Sequence, residues 1–405
     1  MPVVERLEAS LQRIAELDHL NAFITVDGDG ARRSAAQCDH RRSIGSSLGP
    51  LDGVLVAIKD NIDTAGLRTT SGTQVFSRRV PDTDADVVQR LRQAGAVIVG
   101  KTNMTELACG TIGTNEHWGD VAHPIDPLRY AGGSSSGSAV AVATGIVDFA
   151  LGSDTSCSIR QPASTCGIVG LKPTFGRTSN AGVSVCTSWA DHVGPMTRTA
   201  EEAATVLGCI QGDGWDDPAG LLGHDVAGIR VGVLGGEFAH DCAPDILSLF
   251  DDAVSELARL GAVPSAVALD IDLMHADDQL NLLCADLFAA YGSELLNAPQ
   301  HHVGGELRGW LTLFDADPAP YAMAISHRSS LQQMLRETFA HFDVLVCPTT
   351  RRTAGLRAEA ASEPRELRVA NCSMFSFTGV PSITCLLYTS PSPRDATLSR
   401  MPSSA

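Results

Sequence analysis

Residues 132–164 read GGSSSGSAVAVATGIVDFALGSDTSCSIRQPAS, a stretch in which two hydroxyl-rich turns flank a helix-like run and a strand-like run. SGSAVAVATG (136–145) is small and apolar enough for a helix, which carries the chain about 15 Å outward at 1.5 Å per residue. IVDFALGS (146–153) is strand-like and brings it back by roughly 20–25 Å at 3.3 Å per residue. The turns GGSS and DTSCS, distant in sequence, therefore return to one sheet edge. IRQPAS, after the second turn, begins another helix. A nucleophile there sits beside free backbone N–H groups that receive an oxyanion.

The same alternation extends outward. GVLVAIKD (53–60) is an apolar run ending in charge, which suits a buried parallel strand. DADVVQRLRQAG (84–95) reads as a helix with a glycine stop, and AVIVGK (96–101) as the next strand. An amphipathic helix is expected over 3–17 and a short strand over 20–26. Later, IRVGVLGG (229–236) and FDVLVCPTT (342–350) read as strands around the helix PDILSLFDDAVSELARLG (244–261). This pattern predicts one α/β layer structure with a largely parallel sheet. Residues 262–340 are more helical and are expected to cap one sheet edge, with 351–370 a charged surface loop.

Sites in such sheets lie outside the carboxyl ends of the strands. With strand 53–60 beside strand 146–153, Lys59 points into the crevice of the serine turns. Serines, one lysine and a backbone anion hole suffice for acyl transfer with no histidine.

Composition narrows the class. The 405 residues are 44% hydrophobic, which excludes a disordered chain. A net charge of −17, from 47 acids against 30 bases and with no basic cluster, argues against direct nucleic-acid or anionic-membrane binding. The opening MPVVERLEASLQRIAELDHL mixes charge into helical spacing and is neither signal peptide nor anchor. No apolar run approaches the roughly 20 residues of a membrane span. Eleven cysteines stand singly without a C-x-x-C pair, as expected of reduced thiols in a cytoplasm rather than a disulfide or zinc framework. Of the thirty basic residues only Lys59, Lys101 and Lys172 are lysine.

GPLDGVLVAIKDNIDTAGLRTTSGT (49–73), VGKTNMTELACGTIGTN (99–115), the opening stretch, CGIVGLKPTFGR (166–177) and DHVGPMTRTAEEAA (191–204) resemble the amidase signature family of serine amidohydrolases. The resemblance implies a mixed sheet wrapped by helices, in a catalytic domain over residues 1–385. It also implies a Ser–cis-Ser–Lys triad at Ser158, Ser134 and Lys59. Ser158 attacks the amide carbon, Ser134 after a cis peptide from Gly133 relays the proton, and a neutral Lys59 is the base. The N–H groups of Thr155, Ser156, Cys157 and Ser158 supply the oxyanion hole. Asp154 and Arg160 flank the nucleophile as an ion pair holding the loop or as substrate contacts. No metal or cofactor is implied, and the substrate is a small-molecule amide.

Departures from the family pattern are visible. Ser136 stands for a glycine, and Ser156–Cys157 for a glycine pair, which restricts positive φ and narrows the site. Cys157 is an alternative thiol nucleophile, although cysteine is more often a small buried residue. The last twenty residues, LLYTSPSPRDATLSRMPSSA (386–405), are Ser/Pro-rich and aperiodic. They read as a non-native or disordered tail resembling translated adapter sequence, with the family's closing block missing.

Rival readings fail on context. GSSSG (133–137) fits a nucleophile elbow, but HPIDPLRYA before it is no apolar strand. A phosphate loop needs a glycine upstream of GKT (100–102) that is absent. Three readings stay open: a free-standing amidase, alone or as a homodimer; the glutamine-hydrolysing subunit of a tRNA-dependent amidotransferase with partner subunits; and a catalytically silent scaffold.

Overall fold

The computed structural model describes residues 1–269, 276–312, 318–360 and 362–385. The tail 386–405 lies outside the described residues. Strands are β1 (Phe23–Val26), β2 (Leu55–Lys59), β3 (Val97–Thr102), β4 (Phe149–Asp154), β5 (Val169–Lys172), β6 (His192–Thr197), β7 (Arg230–Leu234), β8 (Val263–Val267), β9 (Val344–Val346) and β10 (Ser382–Thr384). Helices are α1 (Val3–Glu16), α2 (Gly28–Ser43), α3 (Asp86–Gln93), α4 (Ser136–Ala143), α5 (Arg160–Cys166), α6 (Ala200–Ile210), α7 (Pro244–Arg259), α8 (Ala276–Asn297), α9 (Gly305–Thr312), α10 (Pro318–Phe339) and α11 (Glu366–Thr378).

The central sheet is mixed and runs in the order β1-β3-β2-β4-β6-β5-β10. Its middle, β3-β2-β4, is parallel, and antiparallel ladders flank it on both sides. Every residue of β2, β3 and β4 is buried, as continuous apolar runs between two helical layers require. On one face lie α1, α2, α4 and α5, with Leu7, Ala35, Val140 and Ala163 in a core shared with Val97 and Ala150. On the other lie α3 and α6, packing Val88, Leu91 and Leu207 against Ile58, Ile98 and Leu151. The glycine stop after α3 is Gly95, at φ +85°, where an added Cβ would lie 2.5 Å from Asp52 Oδ1.

The strands expected at 229–236 and 342–350 do not extend this sheet. As β7 and β9 they pair in parallel, with β8, in a second sheet of order β8-β7-β9. The segment 262–340 supplies β8 and then α8, α9 and α10. Leu283, Leu287 and Leu307 of α8 and α9 pack on Leu107, Cys109 and Cys186, which roofs the strand ends as a cap.

Residues 351–360 and 362–365 run as the expected loop, with Arg352, Arg357 and Glu359 exposed, but the segment is not solvated throughout. Arg351, Ala354, Ala360 and Arg368 are buried, and α11 starts at Glu366. The two buried charges, Arg351 and Arg368, are met inside the protein. Arg351 donates to the Glu237 carbonyl at 2.8 Å, and Arg368 to Thr111 Oγ1 at 3.0 Å and Glu363 Oε2 at 2.8 Å. Among the described residues no helix is long and apolar enough to cross a membrane.

Candidate active site

Parallel pairing of β2 with β4, with Ile58 opposite Leu151, brings Lys59 and the turn after Asp154 to the same sheet edge. Helix α4 returns the other turn to it. This approach depends on Gly137, where a Cβ would lie 2.3 Å from the Ala22 carbonyl and 2.6 Å from the Asn103 amide. The two turns meet where the Ser135 N–H donates to the Ser158 carbonyl at 3.2 Å.

Lys59 is wholly buried. Its Nζ donates to Ser134 Oγ at 2.7 Å, Ser153 Oγ at 2.8 Å and the Ser153 carbonyl at 3.2 Å. Asn61 Nδ2 reaches the same Ser153 hydroxyl at 3.0 Å. Burial pushes the lysine down to about 8, against the raising influence of Cys186, Asp191 and Asp154. The Gly133–Ser134 peptide is cis, and the Gly133 N–H donates to Gln161 Oε1 at 2.9 Å.

The turn 155–158 divides its polar groups by type. All four carbonyls are taken: Thr155 by Gln279 Nε2 at 3.1 Å, Ser156 by Arg160 Nη2 at 2.8 Å, Cys157 by the Gln161 N–H at 2.8 Å, and Ser158 by Ser135. None of the four N–H groups makes a hydrogen bond among the described residues, and neither does the Ser158 hydroxyl. The next two amides, of Ile159 and Arg160, are claimed by Asp154 Oδ2 at 3.0 and 3.4 Å. What remains is a buried cluster of unclaimed donors beside a serine.

Asp154 and Arg160 form a buried two-point ion pair, at 3.0 Å from Nε to Oδ2 and 3.0 Å from Nη2 to Oδ1. Burial alone would raise the Asp154 carboxyl, yet the guanidinium holds it far below the usual range. Arg160 also donates to the Cys372 carbonyl at 2.9 Å and Ser376 Oγ at 2.7 Å, tying the turn to α11. Cys157 is buried against Val369 and Cys372, and burial pushes its thiol up to about 11, which disfavours a thiolate nucleophile. Ser136 opens α4, with its buried hydroxyl unpartnered.

The other two lysines are buried elsewhere. Lys101 Nζ serves the Ile62 carbonyl, Thr64 Oγ1 and Thr69 Oγ1. Lys172 Nζ serves the carbonyls of Pro173 at 3.0 Å and Val380 at 2.7 Å. All three lysines of the chain are thus buried, each with Nζ donating to oxygen acceptors.

Sequence reasoning missed Ser153, Asn61, Asp191 and Gln279. Asp191 accepts the Thr155 hydroxyl and, at 3.0 Å, the Thr187 N–H, and burial pushes it up to about 6. Asn61 and Asp191 stood inside recognised motif blocks, whereas Gln279 carries no local signal. Among the described residues no three His, Cys, Asp or Glu side chains converge to hold a metal ion.

The fold and site define an α/β protein with a buried serine–lysine centre. Residues 5–396 match the Amidase family, and the chain belongs to that family, whose members act on amide C–N bonds. It is 35% identical over 426 residues to a glutamyl-tRNA(Gln) amidotransferase subunit from Symbiobacterium thermophilum, spanning 95% of this chain and 86% of the relative. A solved amidase superposes with TM-score 0.85 at 30% identity, covering 95% of this chain and 88% of its own. The native peptide amidase of Stenotrophomonas maltophilia gives 0.75 at 29%, covering 95% and 87%.

Proposed function

We propose that the protein hydrolyses a carboxamide to carboxylate and ammonia through an acyl-enzyme on Ser158. The observation that carries this reading is the turn whose four carbonyls are bound and whose four amides are free, next to a lysine bonded to Ser134. Ser158 Oγ attacks the amide carbon. Its proton passes through the Ser134 hydroxyl to neutral Lys59, and the free amides receive the oxyanion. The intermediate collapses, the C–N bond breaks, and the proton held by Lys59 goes to the departing nitrogen through Ser134, releasing ammonia. Water then attacks the ester, losing its proton along the same path, and Ser158 leaves as the free hydroxyl. Lys59 at about 8 has a useful neutral fraction near neutrality.

The amidotransferase relative favours a second reading, in which the amide is glutamine and the ammonia passes to partner subunits. We place the reaction in the cytoplasm, in keeping with the absence of any disulfide among the described cysteines.

Fluorophosphonate treatment followed by intact-mass analysis tests the centre. One adduct, mapping to Ser158, is expected. An adduct on Ser135 or Cys157 overturns the assignment, and no adduct at all favours a silent scaffold.

A further inference from the structure

Arg365 stands at the N-cap of α11. One turn further along, Val369 packs against Cys157 of the oxyanion turn. Residues four apart share a helix face, so Arg365 leaves α11 on the side of that turn. Its guanidinium lies over Trp310 of α9, 5.5 Å from the ring centroid. Its positive charge acts to lower the Cys157 thiol, the Cys284 thiol of α8 and the Glu306 carboxyl of α9. The cation therefore lies between the turn and the cap helices.

Arg365 Nε is buried with no hydrogen-bond partner, the only arginine nitrogen so placed among the described residues. Neighbouring arginines differ. Arg160 and Arg368 spend their donors on carbonyls, hydroxyls and carboxylates. Glu306, the carboxyl that feels Arg365, instead accepts from Thr114 at 3.4 Å, and burial pushes it towards its neutral form. A buried donor without a partner is destabilising, so the site favours an incoming acceptor.

We infer that Arg365 anchors a subsite for an anionic group on the acyl part of the substrate, making carboxylate-bearing amides the preferred class. A carboxylate meets a guanidinium through two parallel hydrogen bonds, which a neutral amide chain cannot do. The inference deepens the proposed function, because it rests on Ser158 as the acylated residue.

Succinamate and butyramide share chain length and differ in carboxylate against methyl. The parent protein should favour succinamate in kcat/KM. Arg365→Gln should lower the succinamate-to-butyramide ratio at least tenfold, chiefly through KM, and Arg365→Lys should keep part of the preference. An unchanged ratio in Arg365→Gln, as expected if Nε is served only by a bound water, overturns the subsite. So does a parent that prefers butyramide. If neither amide is turned over, calorimetric binding of succinate decides the subsite, and fluorophosphonate labelling of Ser158 tests the amidase reading separately. Binding that Arg365→Gln abolishes sustains it, and no binding in the parent overturns it.

Discussion

Lys59 shows how one residue's surroundings set its chemistry. Burial among hydroxyls and a carbonyl disfavours the ammonium and brings the group down to about 8. Turnover should therefore rise with pH through about 8, not through the ordinary lysine range. Arginine stays protonated and cannot serve as base, so Lys59→Arg should fold yet lose roughly 10²–10⁴-fold in turnover. Circular dichroism with an ammonia-release assay checks both halves, and a folded, fully active variant would sink the triad. Stability carries the same signature. Below about 8 both the folded and unfolded states hold the proton, and the cost of the buried charge is present in full. Between about 8 and the unfolded value of 10.5 the unfolded chain binds more protons, so this contribution to stability rises with pH. Compared with Lys59→Met, the parent should gain on the order of 3 kcal/mol of unfolding free energy across that window, at 1.36 kcal/mol per pK unit. Lys101 also lies at about 8 but is common to both proteins and cancels. Denaturant melts at pH 7 and pH 10.5 give the comparison, and parallel behaviour of the two proteins contradicts it.

In the proposed mechanism activity depends on the turn between β4 and α5, and Arg160 is its fastening. Its guanidinium joins Asp154, the Ser156 carbonyl, α11 through Cys372 and Ser376, and β10 through Ser382 at 3.1 Å. A buried pair need not stabilise more than apolar packing would, but removing one partner strands the other charge. Arg160→Met should therefore cost about 3–5 kcal/mol of unfolding free energy, and Asp154→Asn a similar amount. The double variant should lose less than the sum, because neither charge is then left alone. Arg160→Met also releases the Ser156 carbonyl, so the following amide is no longer held and kcat should fall while KM changes less. Losses below about 1 kcal/mol in either single variant would show that the pair does not hold the turn.

At the scale of the whole molecule, what was legible in the sequence follows from what is buried locally. The runs 53–60, 96–101 and 146–153 announce β2, β3 and β4 because strands covered on both faces must be apolar throughout. An apolar run reads the same whichever sheet receives it, so the separate β8-β7-β9 sheet was not legible. Nor were the buried arginines of 351–370, whose partners lie far away in sequence. Lys59, Ser134 and Ser158 were assigned through motifs, whereas Gln279 is an unremarkable helix residue until the fold brings it to Thr155. The same division into well-buried and half-covered parts sets the order of opening. β8 is largely exposed and β9 partly so, whereas β2, β3 and β4 are buried along their whole length. Local opening free energy follows buried apolar packing, so amides of β7, β8 and β9 should exchange with solvent well before those of the central strands. Gln279→Ala should accelerate exchange in α8 while leaving β2 and β4 unchanged, and should lower kcat because the Thr155 carbonyl is no longer held. Native-state hydrogen exchange read by mass spectrometry makes the test, and equal protection across both sheets would refute this order of opening.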